Sequence, residues 1–171
     1  MKKNLFVLVL LAVVIVSLAG CASRTAGTPL VTVTGKIKDG NYVLDQAAFD
    51  ANSTELTYND PWMGNGLKYK GILLSKLVEL VKPDSSATII SLVGTDGKAY
   101  DIPLVLGTQY NVMLARWVDG TLLDEKNGGP VKAAYPDDAK GKDPAFADEN
   151  WTWWVVSVVF KYANPSIPSD R

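Results

Sequence analysis

Apolar and polar positions along the chain follow two spacings. Val31 and Val33 alternate with threonines, which predicts a half-buried or edge strand running up to a turn at Asp39-Gly40. A short helix or turn fits Asp45 to Asp50. The apolar positions Ile72, Leu73, Leu77, Leu80 and Val81 lie on one stripe of a helix over 72–81, and Pro83 stands just beyond its end. Thr88–Val93 and Lys98–Ile102 flank Asp96-Gly97, a strong hairpin signal. Val112–Val118 reads as a strand closed by Asp119-Gly120, and Val131–Tyr135 as a short strand after Gly128-Gly129-Pro130. Pro136 to Asn150 is polar and rich in Asp, Lys and Pro, so it is expected to be the most mobile loop. Trp153–Phe160 is apolar on both faces, with Trp154, Val156, Val158 and Phe160 on one and Trp153, Val155 and Val159 on the other, which predicts a central strand. The class is α+β: one domain over 30–162 with mixed, mostly antiparallel sheets and a few helices, followed by a loose tail, 163–171, marked by Pro165 and Pro168. No internal repeat is visible.

The first 20 residues belong to a different kind of element. Lys2 and Lys3 precede an uncharged apolar run, Leu5 to Ala19, as in a secretory signal. About 20 apolar residues are needed to cross a bilayer core, so the run is short for a span. Leu18-Ala19-Gly20-Cys21 resembles the lipobox of bacterial lipoproteins, in which the signal is cut before the cysteine and the new N-terminus is acylated, palmitate included. Cys21 is the only cysteine, with no partner for a disulfide. Each buried acyl methylene contributes about 0.8 kcal/mol, so two or more chains anchor the protein at a membrane. Residues 21–29 then read as a tether. Ala22 follows the cysteine where an aspartate would suggest inner-membrane retention, so the expected location is periplasmic, at the outer membrane where there are two.

Removing residues 1–20 leaves 15 basic against 18 acidic side chains, a net charge of −3. No basic cluster offers a face to phosphates, so nucleic acid is not an expected partner. The remaining 151 residues suit one domain able to bury roughly two thirds of its unfolded surface without disulfides.

The chain has no histidine, and its one cysteine is assigned to lipid. Ser-His-Asp and Cys-His catalysis, and zinc or haem sites built on those ligands, are therefore excluded. Asp50, Asn52 and Thr54 fail the calcium-loop pattern because Glu55 occupies the glycine position. Asp137, Asp138, Asp143, Asp148 and Glu149 read as a solvated loop, and nothing singles out a glycosidase-like carboxylate pair. Arg116 shares a strand face with Val112, Leu114 and Val118, so it needs a partner: an internal aspartate, water at a strand end, or a polar or anionic ligand. Trp62 stands in Asn59-Asp60-Pro61-Trp62-Met63-Gly64-Asn65-Gly66, a loop by its Pro and Gly content, where a tryptophan either lids a core or stacks on a planar ligand. With Trp151 and Tyr135 at strand ends it could wall a flat cleft.

The order of short motifs carries a further signal. Tyr69-Lys70-Gly71-Ile72-Leu73-Leu74, then Asp96-Gly97 to Tyr100 with Ile102-Pro103, Leu114-Ala115 to Asp119-Gly120, Gly128-Gly129-Pro130-Val131 to Tyr135-Pro136, and Trp153 together resemble the sulfite oxidase-type molybdopterin-binding domain over most of residues 30–161. Enzymes of that family hold molybdenum through a cysteine upstream of the first motif. Here that segment reads Pro61-Trp62-Met63-Gly64, and the family histidines and most pyrophosphate-gripping arginines are missing. The resemblance therefore implies the short exported relatives that keep the fold without the metal, bind a free pterin and report it to a membrane signalling partner. In such a domain Trp62 would replace the metal ligand with a stacking face, while Asp96, Tyr100, Arg116 and Tyr135, beside Trp151, would surround the same cleft. The expectation is a non-enzymatic pterin-binding lipoprotein without molybdenum. The alternatives are a molybdopterin-dependent oxidoreductase subunit and an interaction lipoprotein with a vestigial cleft.

Overall fold

The computed structural model describes residues 27–163; the signal segment 1–20, the lipidation site Cys21, residues 21–26 of the tether and 164–171 of the tail lie outside the described residues. Among the described residues ten strands form two sheets. The first contains β1 (Val31–Gly35), β2 (Asn41–Leu44), β5 (Ile89–Gly94), β6 (Ala99–Pro103) and β10 (Val155–Lys161), in the order β2-β1-β10-β5-β6. The second runs β3 (Thr54–Asp60), β4 (Gly64–Leu73), β7 (Met113–Val118) and β8 (Thr121–Leu122), with β9 (Lys132–Ala134) also paired to β7. Among the described strands only β1 and β10 pair in parallel. Among the described residues three α-helices complete the order: α1 (Gln46–Asn52), α2 (Leu74–Val81) and α3 (Leu104–Gln109). The fold is thus α+β with mixed, mostly antiparallel sheets, as the patterning predicts.

Local chemistry explains most of these elements. Asp45 caps α1 by accepting from Ala48 N at 2.8 Å, satisfying one of the free amides of the first turn. Asp119 and Gly120 both take positive φ, the geometry of a tight two-residue hairpin, and join β7 to β8. β10 is central, between β1 and β5. Its two faces are not the alternating sets expected, because the register with β5 shifts between Val155 and Ser157. The extra residue turns Val156 to solvent and brings Val155, Val158 and Phe160 into the core. One continuous apolar cluster joins Val33, Leu92 and Phe160 of the first sheet to Tyr69, Ile72 and Leu114 of the second.

Three further expectations change. Helix α2 starts at Leu74, because Ile72 and Leu73 finish β4 opposite Leu114 and Met113. Apolar residues at that spacing satisfy either element, and the ladder to β7 decides. Trp62 sits on a turn as expected, but the turn is only residues 61–63 of a β3–β4 hairpin, and the rest of the expected loop is strand, masked in the sequence by a buried Asp60 and two glycines near the start of β4. The segment 136–150 is tied down: it contains short 3-10 turns at Pro144–Phe146 and Asp148–Asn150, Phe146 and Ala139 are fully buried, and Lys140 bridges Asp137 and Asp148.

Candidate functional site

The β3–β4 turn, β9 and the approach to β10 converge on one buried ion pair. Asp60 ends β3 and Lys132 lies on β9; both side chains are wholly out of solvent, with Lys132 Nζ 2.5 Å from Asp60 Oδ2. Tyr69 on β4 donates its hydroxyl to the same oxygen at 2.7 Å, while Asp60 Oδ1 accepts the amides of Trp62 and Met63 at 2.8 and 3.0 Å. Burial pushes the Asp60 carboxyl up, but the bonds from Lys132, Tyr69 and the Trp62 amide, with the ammonium charge, outweigh it and hold the group below the usual carboxylate range. Burial pulls the Lys132 ammonium below its usual range, and Asp60 restores only part of that. Tyr69 is raised by burial and by its carboxylate neighbour, so it remains a donor.

Three tryptophans enclose the ammonium. Its nitrogen lies 4.6 Å from the ring centre of Trp153, 5.2 Å from Trp151 and 6.0 Å from Trp62. Cation–π attraction of about 0.5–2 kcal/mol per favourable pair offsets part of the desolvation cost. The rings meet edge to face and continue in both directions: Trp154–Trp153 at 5.6 Å, Trp153–Trp62 at 6.0 Å, Trp62–Trp151 at 6.2 Å and Trp151–Tyr135 at 5.7 Å. Trp62 is about half exposed and Tyr135 fully buried, donating to the Asn150 carbonyl at 3.0 Å.

Beside this cluster opens a groove of about 480 Å³ lined by Thr95, Leu123, Glu125, Gly129, Pro130 and Trp154. That volume lies in the range of small-molecule sites. Trp154 stands in the left-handed region at φ 50°, an arrangement costing a bulky residue about 1–2 kcal/mol. Three hydrogen bonds hold it there: its amide to Gly128 O at 2.9 Å, its indole Nε1–H to Glu125 O at 2.9 Å, and its carbonyl accepting Thr95 N at 3.1 Å. The neighbouring glycines make room: a Cβ on Gly129 would lie 2.1 Å from Leu123 O, and one on Gly128 would strike the Trp153 ring at 2.9 Å.

The structure brings Trp62, Trp151 and Tyr135 together, with Tyr100 on β6 near enough to add to the upward pull of burial on the Tyr135 hydroxyl. It does not bring Asp96 or Arg116 into the cluster. Asp96 is occupied by its own turn, accepting Lys98 N at 3.0 Å and pairing with that ammonium at 3.6 Å. Arg116 donates to Gln46 Oε1 at 2.8 and 2.6 Å and to Pro130 O at 3.3 Å, and the nearby Asp50 charge offsets part of the downward pull of burial on the guanidinium. Sequence reasoning missed Asp60, Lys132, Trp153, Trp154 and Glu125. A signal existed for one: a lone lysine inside the apolar strand Val131–Tyr135 demands a buried anion. Nothing local marks Asp60 as that anion.

Comparison with known proteins bears on this arrangement. No curated protein matches the sequence. Among solved structures, the sulfane dehydrogenase SoxCD from Paracoccus pantotrophus is similar with a TM-score of 0.62 at 15% identity, over 85% of this chain and 41% of that one. The present chain thus spans less than half of that neighbour, and at this identity the likeness is one of fold. The model of the oxidoreductase molybdopterin-binding domain matches residues 41–143, a stretch that takes in both the Asp60–Lys132 pair and most of the groove. Motif order, fold and family model agree, and the chain belongs to the oxidoreductase molybdopterin-binding domain family.

Proposed function

We propose that this protein is an exported, lipid-anchored binding domain whose groove takes a pterin or similar planar heterocycle and relays its presence to a membrane signalling partner. One observation carries the reading: Trp154, pinned in a strained conformation by three hydrogen bonds, lines an open groove of ligand size. Strain held in place by its surroundings is a mark of functional positions. Leu123 and Pro130 add apolar wall, and an indole face stacks on any flat heterocycle. The anchor rests on the Leu18 to Cys21 pattern.

A cysteine-held molybdenum does not fit the described residues. None of them is a cysteine, no three acidic, cysteine or histidine side chains among them converge, and Lys132, the cation at the centre of the aromatic cluster, is committed to Asp60 and closed to a cofactor pyrophosphate. Binding, not metal redox chemistry, is what these side chains support.

Calorimetric titration of the mature chain with reduced and oxidised pterins tests the proposal. Binding by the wild type that falls at least tenfold in Trp154→Ala is expected; a wild type that binds no pterin overturns it. The family match also favours an oxidoreductase subunit. Molybdenum at one atom per chain, in protein purified from a molybdenum-replete periplasm, would establish that reading instead.

A further inference from the structure

One of the residues that line the groove is charged. Glu125 opens the 3-10 turn Glu125–Asn127, is exposed, and its carboxylate makes no hydrogen bond or ion pair with any described residue. Its backbone is fixed: the carbonyl accepts both the Trp154 indole N–H at 2.9 Å and the Gly128 amide at 3.2 Å. The carboxylate is therefore carried on the same rigid unit as the ring that supplies the stacking surface. No cation among the described residues lines the groove, and the guanidinium of Arg116, which touches the wall through Pro130 O, is bound by Gln46.

A carboxylate that reaches the edge of a planar ring stacked on an indole is complementary to two parallel N–H donors on that edge, the same two-point geometry an arginine offers a carboxylate. An edge bearing a ring N–H beside an exocyclic amine supplies those donors; an edge bearing a carbonyl in place of the amine turns a lone pair on the carboxylate.

Resting on the binding function proposed above, we infer that Glu125 is the specificity-determining residue of the groove and selects 2-amino-4-oxo heterocycles over their 2,4-dioxo analogues. The probe pair is pterin and lumazine, which share the bicyclic ring and differ at position 2. Each is titrated calorimetrically at pH 7 into the mature wild-type chain and into Glu125→Gln, a surface change at an exposed site with no side-chain partner to lose. The wild type binds pterin at least tenfold more tightly than lumazine. Glu125→Gln presents one acceptor and one donor, which match the N–H and carbonyl of lumazine, so the preference collapses or inverts, while circular dichroism stays unchanged. Equal binding of the two ligands by the wild type, or an unchanged ratio in Glu125→Gln, overturns the role of Glu125 and leaves the groove as a binding site. Binding of neither ligand by the wild type overturns the groove itself, and this inference with it.

Discussion

Asp60→Asn isolates the buried charge pair with a nearly isosteric change. The amide keeps an oxygen for the Trp62 and Met63 amides, so the hairpin turn retains its clasp. What it removes is the anion facing Lys132 Nζ at 2.5 Å and the acceptor of Tyr69 at 2.7 Å, between side chains with no solvent exposure. Breaking a buried pair from one side costs about 3–5 kcal/mol, because the remaining charge is stranded. The three indole rings at 4.6, 5.2 and 6.0 Å still attract the ammonium, which places the expected cost near the lower end, about 3 kcal/mol. For a domain of this size that is a drop in Tm of about 10 °C. Lys132→Met in the same background removes the stranded charge and fills the space with an apolar chain, so the double variant should regain at least half of the loss. Urea denaturation at pH 7, followed by tryptophan fluorescence through a double-mutant cycle, measures the coupling. A cost for Asp60→Asn below about 1 kcal/mol, or a double variant that simply sums the two single losses, would refute the claim that this pair is desolvated and mutually dependent.

The same group sets an acid dependence. Because folding holds the Asp60 carboxyl below its ordinary value near 3.8, its contribution is present above that pH and lost as pH falls through the lower folded value, so denaturation below pH 4 should be steeper in the wild type than in Asp60→Asn. At the alkaline end Tyr58, Tyr69 and Tyr135 are all raised by burial, so three of the seven tyrosines should resist ionisation in a spectrophotometric titration until the protein unfolds; smooth titration of all seven near pH 10 would contradict their burial. Gly71→Ala should cost about 2 kcal/mol or more in denaturant melts, since its Cβ would sit 2.1 Å from Leu114 O where β4 and β7 shift register, and a neutral result would mean the strands are further apart. Cys21→Ala should abolish incorporation of labelled palmitate and release the protein from the membrane fraction; persistence of both in the variant would remove the anchor from the proposed function.

The sequence by itself determined the elements whose causes are local. The Asp96-Gly97 hairpin, the Asp119-Gly120 turn, the stop of α2 before Pro83 and the class of fold depend on turn chemistry and apolar period, which neighbouring residues carry. The ordered motifs were also enough to point to the family. Tertiary structure decided the site. Asp60 and Lys132 stand 72 positions apart, and a charged residue in a turn or short strand looks solvated until its partner is brought to it. The strand β3 was unreadable for the same reason, since its inward face ends in a carboxylate that only Lys132 and Tyr69 make tolerable in a core. Trp154 looked like one more residue of a central strand. Its amide bond to Gly128, its indole bond to Glu125 and its carbonyl bond from Thr95 hold it at the groove, and those contacts come from segments distant in the sequence.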